Sequence, residues 1–235
     1  MRKRNTLIRG LAALALVSGL IAAPASAKKL DEAELRIEIN STDGDAGIHV
    51  ILDGEGWDTM QMRGPNGVEF SVAAENSVGF QGITEFFFES AEPSFEVQSL
   101  EELLELFPEG IYKFKGTTTE GRKLKGKARL THALPEGPVL LSPVDGEGID
   151  PDNAVFSWQE VADPPGSEIV GYEIVVGCEE PAFVDFVAQV GPDVTSLTVS
   201  PEILGQDGAA DCKWEVLAIE ESANQTISET EFTVE

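Results

Sequence analysis

The stretch that decides the fold is residues 111 to 131, Ile-Tyr-Lys-Phe-Lys-Gly-Thr-Thr-Thr-Glu-Gly-Arg-Lys-Leu-Lys-Gly-Lys-Ala-Arg-Leu-Thr. Apolar or small residues alternate with cations on both sides of a turn at Thr117 to Gly121. Successive side chains of a β-strand point to opposite faces of its sheet. The pattern therefore predicts a β-hairpin with one apolar face and one cationic face.

Shorter stretches of alternating residues recur after Lys28, separated by Gly, Pro, Asn and Asp, and they predict further strands. One helix is predicted, because Ser99 and Glu102 have the spacing of a capping box and Pro108 ends the apolar periodicity. Many short strands with turns between them favour a β-sandwich, here with one short helix. The predicted strands are residues 33–39, 47–52, 59–63, 68–72 and 83–89, with the two arms of the hairpin.

The pattern is interrupted at Leu134-Pro-Glu-Gly-Pro138, and the residues beyond it resemble a fibronectin type III domain. The resemblance rests on residues 154–158, which end in Trp158, and on residues 172–176, 197–201, 211–218 and 229–234. Together with the strand pattern of the first half, it predicts an all-β chain of two immunoglobulin-like β-sandwich domains in tandem, at residues 28–136 and 137–235. The first of these is similar to uncharacterised bacterial exported sandwich domains.

The two cysteines, Cys178 and Cys212, both lie in the second half. In the fibronectin type III family the third and sixth strands are antiparallel neighbours, and a tyrosine usually stands six residues before the alanine of the sixth strand. Cys212 occupies that position relative to Ala218. The resemblance thus implies a Cys178–Cys212 disulfide in place of the tyrosine. Two buried free thiols are the alternative.

The first residues predict export. Arg2, Lys3, Arg4 and Arg9 precede an apolar run at residues 11–23, and Ala25-Ser-Ala27 is a signal-peptidase pattern. We predict a signal peptide at residues 1–27 and a periplasmic or secreted product that is not inserted in a membrane. A membrane anchor is the alternative, but the run is shorter than the roughly 20 residues that span a bilayer.

The chain is acidic, with a net charge of −26. Lys213 is the one cation after residue 135, and such a surface repels nucleic acid and anionic lipid. The hairpin concentrates positive charge, and its partner is either internal, such as Glu85, Glu89 or the acidic second domain, or external. An external partner would be an anionic polysaccharide or another protein's acidic face. The candidate binding residues are Lys113, Lys115, Lys123, Lys125, Lys127 and Arg129.

No catalytic motif is present, and His49 and His132 are interpreted as structural. No cofactor is predicted apart from calcium as one interpretation of acid-rich turns, and solvated turns are the other. The calcium candidates are Asp43 and Asp45 in one turn and Asp145, Asp150 and Asp152 in another. The sequence predicts an exported, non-catalytic binding or structural module that contacts protein or glycan. An accessory hydrolase with an unrecognised carboxylate pair is the alternative.

Overall fold

The computed structural model describes residues 26–178, 185–204 and 210–234, so nearly all of the predicted signal peptide lies outside it. The first half contains strands and two short helices: β1 (Lys28–Lys29), β2 (Glu32–Asn40), β3 (Asp45–Gly64), β4 (Gly67–Ala73), α1 (Asn76–Gln81), β5 (Ile83–Glu89), α2 (Leu100–Leu106), β6 (Gly110–Thr118) and β7 (Lys123–Leu130).

The second half contains β8 (Leu140–Ser142), β9 (Glu147–Ile149), a 3-10 turn (Pro151–Asn153), β10 (Val155–Trp158), β11 (Ile169–Cys178), β12 (Asp185–Val190), β13 (Ser196–Thr198), α3 (Pro201–Leu204), β14 (Ala210–Glu220) and β15 (Gln225–Val234). The protein is therefore all-β, as predicted. None of the helices in the described part of the chain is long and apolar enough to cross a membrane.

The strand β3 organises the first half. Its first part pairs with β2 and β5, and its second part pairs with β4 and β6. The pairing register shifts between Asp53 and Trp57, so the predicted strands at residues 47–52 and 59–63 belong to one bent strand. Ile48, Val50 and Leu52 of this strand face the hydrophobic core of the first half.

The predicted helix is α2. The Ser99 hydroxyl accepts a hydrogen bond from the backbone N–H of Glu102 at 3.3 Å, and the Glu102 carboxylate accepts one from the Ser99 N–H at 2.9 Å. Leu103 carries the helix into the first core. The sequence did not predict α1, which has no capping side chain and buries none of its residues.

The second half is a sandwich of two sheets. One sheet has the order β13-β10-β8, and the other continues as β15-β14-β11-β12. Trp158 from the first sheet and Trp214 from the second are fully buried between them. The stretches that resemble fibronectin type III strands lie in β10, β11, β13, β14 and β15, so the sandwich predicted from them is present.

The predicted disulfide is present. Cys178 and Cys212 are direct partners in the antiparallel pairing of β11 with β14, and their sulfur atoms are bonded. Cys212 is buried in the second core.

The two halves share one sheet, which the sequence did not predict. The start of β15 pairs in parallel with the end of β2, from Gln225 beside Glu38 to Ile227 beside Asn40. Each half nevertheless keeps its own hydrophobic core, drawn from residues 30–134 and from residues 140–234. We call the contact between β2 and β15, together with the polar side chains around it, the junction.

Candidate functional site

The hairpin of β6 and β7 has the two faces that its sequence predicts. Tyr112 and Phe114 of β6 and Leu124 of β7 are buried in the first core. The intervening cations are exposed, and the strand register places Lys113 opposite Lys127 and Lys115 opposite Lys125. Like charges in direct cross-strand pairs repel one another. Side-chain packing therefore stabilises the hairpin only on its apolar face, in addition to the backbone pairing of its strands.

Two neighbouring strands extend the positive charge. Lys29 of β1 pairs with Lys125, and Arg63 of β3 pairs with Lys113. The sequence analysis did not include these two residues, because only the strand register places them beside the hairpin. We call the eight exposed cations of the four strands the cationic face: Lys29, Arg63, Lys113, Lys115, Lys123, Lys125, Lys127 and Arg129.

No carboxylate of the described residues forms an ion pair with the cationic face. Glu85 and Glu89, the internal partners considered from sequence, lie on β5 along the first part of β3. Other cations of the described chain do have acidic partners. Lys28 and Arg122 both contact Glu55, the former at 3.7 Å. The cationic face differs from these residues in having no ion-pair partner among the described residues.

The acid-rich turns considered for calcium use several of their oxygens internally. Asp150 caps the 3-10 turn, where its carboxylate accepts hydrogen bonds from the Asp152 N–H at 3.0 Å and from the Asn153 amide at 2.9 Å. Asp43 accepts from the Asn40 amide at 3.4 Å. Asp145 is exposed, as are Asp43, Asp150 and Asp152. None of these candidates, nor Asp45, belongs to the one cluster of three potential ligands in the described residues.

That cluster consists of Glu38, His49 and Glu92. His49 lies on the face of β3 that points away from the first core, and its side chain is directed toward two carboxylates. Its Nδ1 is 3.5 Å from an oxygen of Glu38 on β2, and its Nε2 is 3.9 Å from an oxygen of Glu92 in the loop after β5. Sequence analysis missed this cluster, since Glu92 stands 43 residues from His49 and no local motif connects them.

Burial and nearby charge perturb all three side chains. Desolvation, followed by repulsion from Glu38, Glu89 and Asp45, raises the pKa of Glu92 to about 7. Desolvation also raises the pKa of Glu38. Desolvation and then the positive charge of Arg36 lower the pKa of His49, which favours the neutral imidazole. A neutral imidazole is the form that ligates metals.

The ring of Phe87 packs edge-on against His49, with 5.3 Å between the ring centroids. It is the outward member of the Phe86-Phe87-Phe88 run and remains 57% exposed, whereas His49 is only 5% exposed. The cluster therefore brings three potential ligand side chains together beside a partly exposed aromatic ring.

His132, which the sequence analysis interprets as structural, contacts the segment that follows α2. Its ring Nε2 lies 2.9 Å from the carbonyl oxygen of Phe107, and its backbone N–H donates to Glu109 at 2.8 Å. It holds the end of β7 against the segment after α2.

The strand topology defines an all-β protein built from stacked sheets, with a cationic face and a buried histidine cluster. Similar solved structures include the FN1–FN3 domains of chicken CNTN1, at 11% identity and a TM-score of 0.34, over 88% of this chain and 64% of that chain. They also include the tetra-tandem repeat in the extending region of a large adhesion protein, at 14% identity and a TM-score of 0.30, over 87% and 50% of the two chains. The chain thus spans less than two thirds of either neighbour. No protein-family model and no curated protein matches the sequence.

Proposed function

We propose that this protein is an exported, non-catalytic binding module that contacts an anionic polysaccharide through its cationic face. The observation that carries this proposal is the set of eight exposed cations on four adjacent strands, none of which forms an ion pair within the described chain. A folded protein gains nothing from placing Lys113 opposite Lys127 and Lys115 opposite Lys125. An external polyanion would convert these repulsions into attractions.

The spacing of the charges supports a polymeric ligand. Adjacent strands lie about 4.8 Å apart, and side chains on one face of a strand repeat at roughly 6.7 Å. One row therefore runs across the strands from Lys29 through Lys125 to Lys115, and a second runs from Lys127 through Lys113 to Arg63. A chain molecule with a charge on each sugar could engage several cations of one row at once.

The net charge of −26 does not prevent this contact. Electrostatic interactions are screened beyond about 8 Å at physiological ionic strength, so a ligand on the cationic face mainly experiences the nearby lysines. The same screening makes the binding dependent on salt. The remaining acidic surface restricts anionic ligands to this one face.

Export is supported by the signal-peptide pattern at residues 1–27 and by the Cys178–Cys212 disulfide, since disulfides persist in oxidising compartments. The cationic face would then lie outside the cytoplasmic membrane, in the periplasm or beyond the cell. Acidic polysaccharides occur in those places as matrix and envelope components.

The test measures binding of the chain beginning at Lys28 to dextran sulfate and to polygalacturonate, with uncharged dextran as the reference polymer. We expect both polyanions to bind, with affinity that falls as salt is added. Replacing Lys123, Lys125, Lys127 and Arg129 by Ser should weaken binding at least tenfold. The matched control replaces Lys28, Arg122 and Lys213 by Ser, because these cations already have acidic partners.

Unchanged affinity in the quadruple variant, or equal loss in the control, would contradict the proposal. Polyglutamate, an acidic polypeptide, is tested beside the polysaccharides. Binding to polyglutamate and to neither polyanionic polysaccharide would indicate that the partner of the cationic face is the acidic face of another protein.

A further inference from the structure

His49 is a buried polar side chain without a hydrogen-bond partner. Neither ring nitrogen is exposed to solvent, and neither makes a hydrogen bond in the described structure. The 3.5 Å and 3.9 Å distances to Glu38 and Glu92 exceed the 2.7–3.2 Å of an N–H···O hydrogen bond. Leaving such a group unsatisfied is unfavourable, and most buried polar groups have a partner. The imidazole is therefore positioned for a ligand.

The backbone makes room for the third side chain. A Cβ atom at Gly47 would lie 2.7 Å from both the Cγ and a carboxylate oxygen of Glu92, so Glu92 can fold over β3 only because residue 47 is glycine. The loop that carries Glu92 is fixed on both sides. The Ser90 hydroxyl accepts a hydrogen bond from the Ile48 N–H at 2.9 Å, and the Phe95 N–H donates to the Gly44 carbonyl at 2.7 Å.

The charge around the imidazole favours a cation. Asp45 and Glu89 are close enough to Glu92 to add their negative charges to those of Glu38 and Glu92 itself. The positive charge of Arg36, the cross-strand partner of His49, opposes the binding of a cation. Its guanidinium, however, already forms an ion pair with Glu34 at 3.0 Å. The carboxylates therefore outnumber the available positive charge.

We propose that Glu38, His49 and Glu92 bind a divalent transition metal ion, with zinc as the preferred metal. One imidazole nitrogen and one carboxylate oxygen from each glutamate lie within 4.8 Å of one another, and side-chain rotations that turn Glu38 and Glu92 toward the same ring nitrogen would bring them to the about 3.3 Å that separates ligands in a tetrahedral zinc site. An imidazole nitrogen with carboxylate oxygens suits zinc, whereas calcium takes six to eight oxygen ligands. Water would complete the coordination. None of the calcium candidates is a ligand of this site, although Asp45 adds its charge nearby.

The metal would also reinforce the junction. Glu38 accepts a hydrogen bond from the Gln225 side chain, and these two residues are partners in the pairing of β2 with β15. A metal that holds Glu38 would fasten β2, β3 and the loop after β5 into one unit. It would fix the strand on which the second half of the chain docks.

The test uses the chain beginning at Lys28, treated with EDTA and then dialysed free of chelator. Calorimetric titration with zinc should show one ion per chain with roughly micromolar or tighter affinity, and the melting temperature should rise. Calcium and magnesium should produce neither effect at equal concentration. His49→Gln and Glu92→Gln should each weaken zinc binding at least tenfold.

Two further variants separate this site from incidental zinc binding. Gly47→Ala retains all three ligands but displaces the Glu92 side chain, so it should weaken zinc binding as well. His132→Gln changes the other histidine and should bind zinc like the parent chain. Glu92 is half-buried, whereas His49 is fully buried, so the Glu92 variant should fold even if the His49 variant does not; near-ultraviolet circular dichroism checks this.

Absence of saturable binding, or binding that survives both Glu92→Gln and Gly47→Ala, would overturn the site. Loss of binding in His132→Gln would place the metal elsewhere and would equally overturn it.

Discussion

At the scale of single residues, Glu92 makes stability depend on pH. Its neighbours Glu38, Glu89 and Asp45 are all acidic, and its pKa rises from an ordinary value of 4.5 to about 7 on folding. Between these values the folded state binds more protons than the unfolded state. Its contribution to the free energy of unfolding is therefore greatest below about pH 4.5 and is lost as the pH rises through about 7.

We predict that, in metal-free protein, Glu92→Gln removes this loss of stability with rising pH. In urea unfolding with EDTA present, the variant should gain stability relative to the parent chain between about pH 5 and about pH 8. Glu96→Gln is the matched control, because Glu96 is an exposed glutamate of the same loop. An equal change with pH in all three proteins would contradict the prediction. Glu38, Arg36 and His49, which surround this carboxylate on β2 and β3, are present in all three proteins, so the comparison isolates the replaced side chain.

Sequence reasoning placed His49 on a strand but could not give it a function. The alternation of β3 predicts which face it occupies, and the prediction of a structural histidine rested on the absence of a nearby motif. Its proximity to Glu38 depends on the register of β2 against β3, and its proximity to Glu92 depends on the loop after β5. Neither is a property of adjacent residues. The one local signal is Gly47, because a residue without a side chain stands at the start of an otherwise mostly apolar run and leaves space beside His49.

At the scale of elements, alternation located the strands because each strand places its own residues on two faces. It divided β3 in two, since Asp53 to Asp58 interrupt the pattern where the strand bends. Trp57 within that bend is fully buried and packs edge-on against Phe86. Packing in the core thus holds this irregular part of β3 in place. The residues that pack there are distant from one another in sequence.

The disulfide is a second feature at this scale, and it joins the end of β11 to the start of β14. We predict that replacing Cys178 and Cys212 together by Ala lowers the free energy of unfolding by about 3 to 4 kcal/mol, because the closed loop of 34 residues is released in the unfolded state. Urea unfolding followed by tryptophan fluorescence measures this. The parent chain under dithiothreitol is the control and should match the variant. An unchanged midpoint would show that the bond adds no stability.

At the scale of the whole molecule, Asn224 connects the two halves. It is completely buried, and its side-chain oxygen accepts the Ile37 N–H of β2 at 2.9 Å. Its side-chain amide donates to the carbonyl oxygens of Thr131 at 3.0 Å and Ala133 at 3.2 Å. The neighbouring Glu220, also buried, accepts the backbone N–H of Asn224 at 2.9 Å and holds the turn before β15.

We predict that Asn224→Ala destabilises the junction by roughly 2 to 4 kcal/mol, because it leaves a buried N–H of β2 and two carbonyls without partners. Chemical unfolding should then show two transitions in place of one, with the halves unfolding separately. Asn40→Ala is the control, since it removes a longer and only part-buried contact of the same junction, that of the Asn40 amide with Glu229 at 3.3 Å. A single transition at the original midpoint would contradict this prediction.

By itself, the sequence determined that the chain is all-β, where most strands lie, that the hairpin has a cationic face, and which cysteines pair. These features follow from the alternation of neighbouring residues, from turn residues, and from a family resemblance within one half. The tertiary structure alone decided the pairing of β2 with β15, the extension of the cationic face to Lys29 and Arg63, and the cluster of Glu38, His49 and Glu92. The physical reason is that strand order and register are fixed by packing between distant segments, which a local pattern of side chains does not encode.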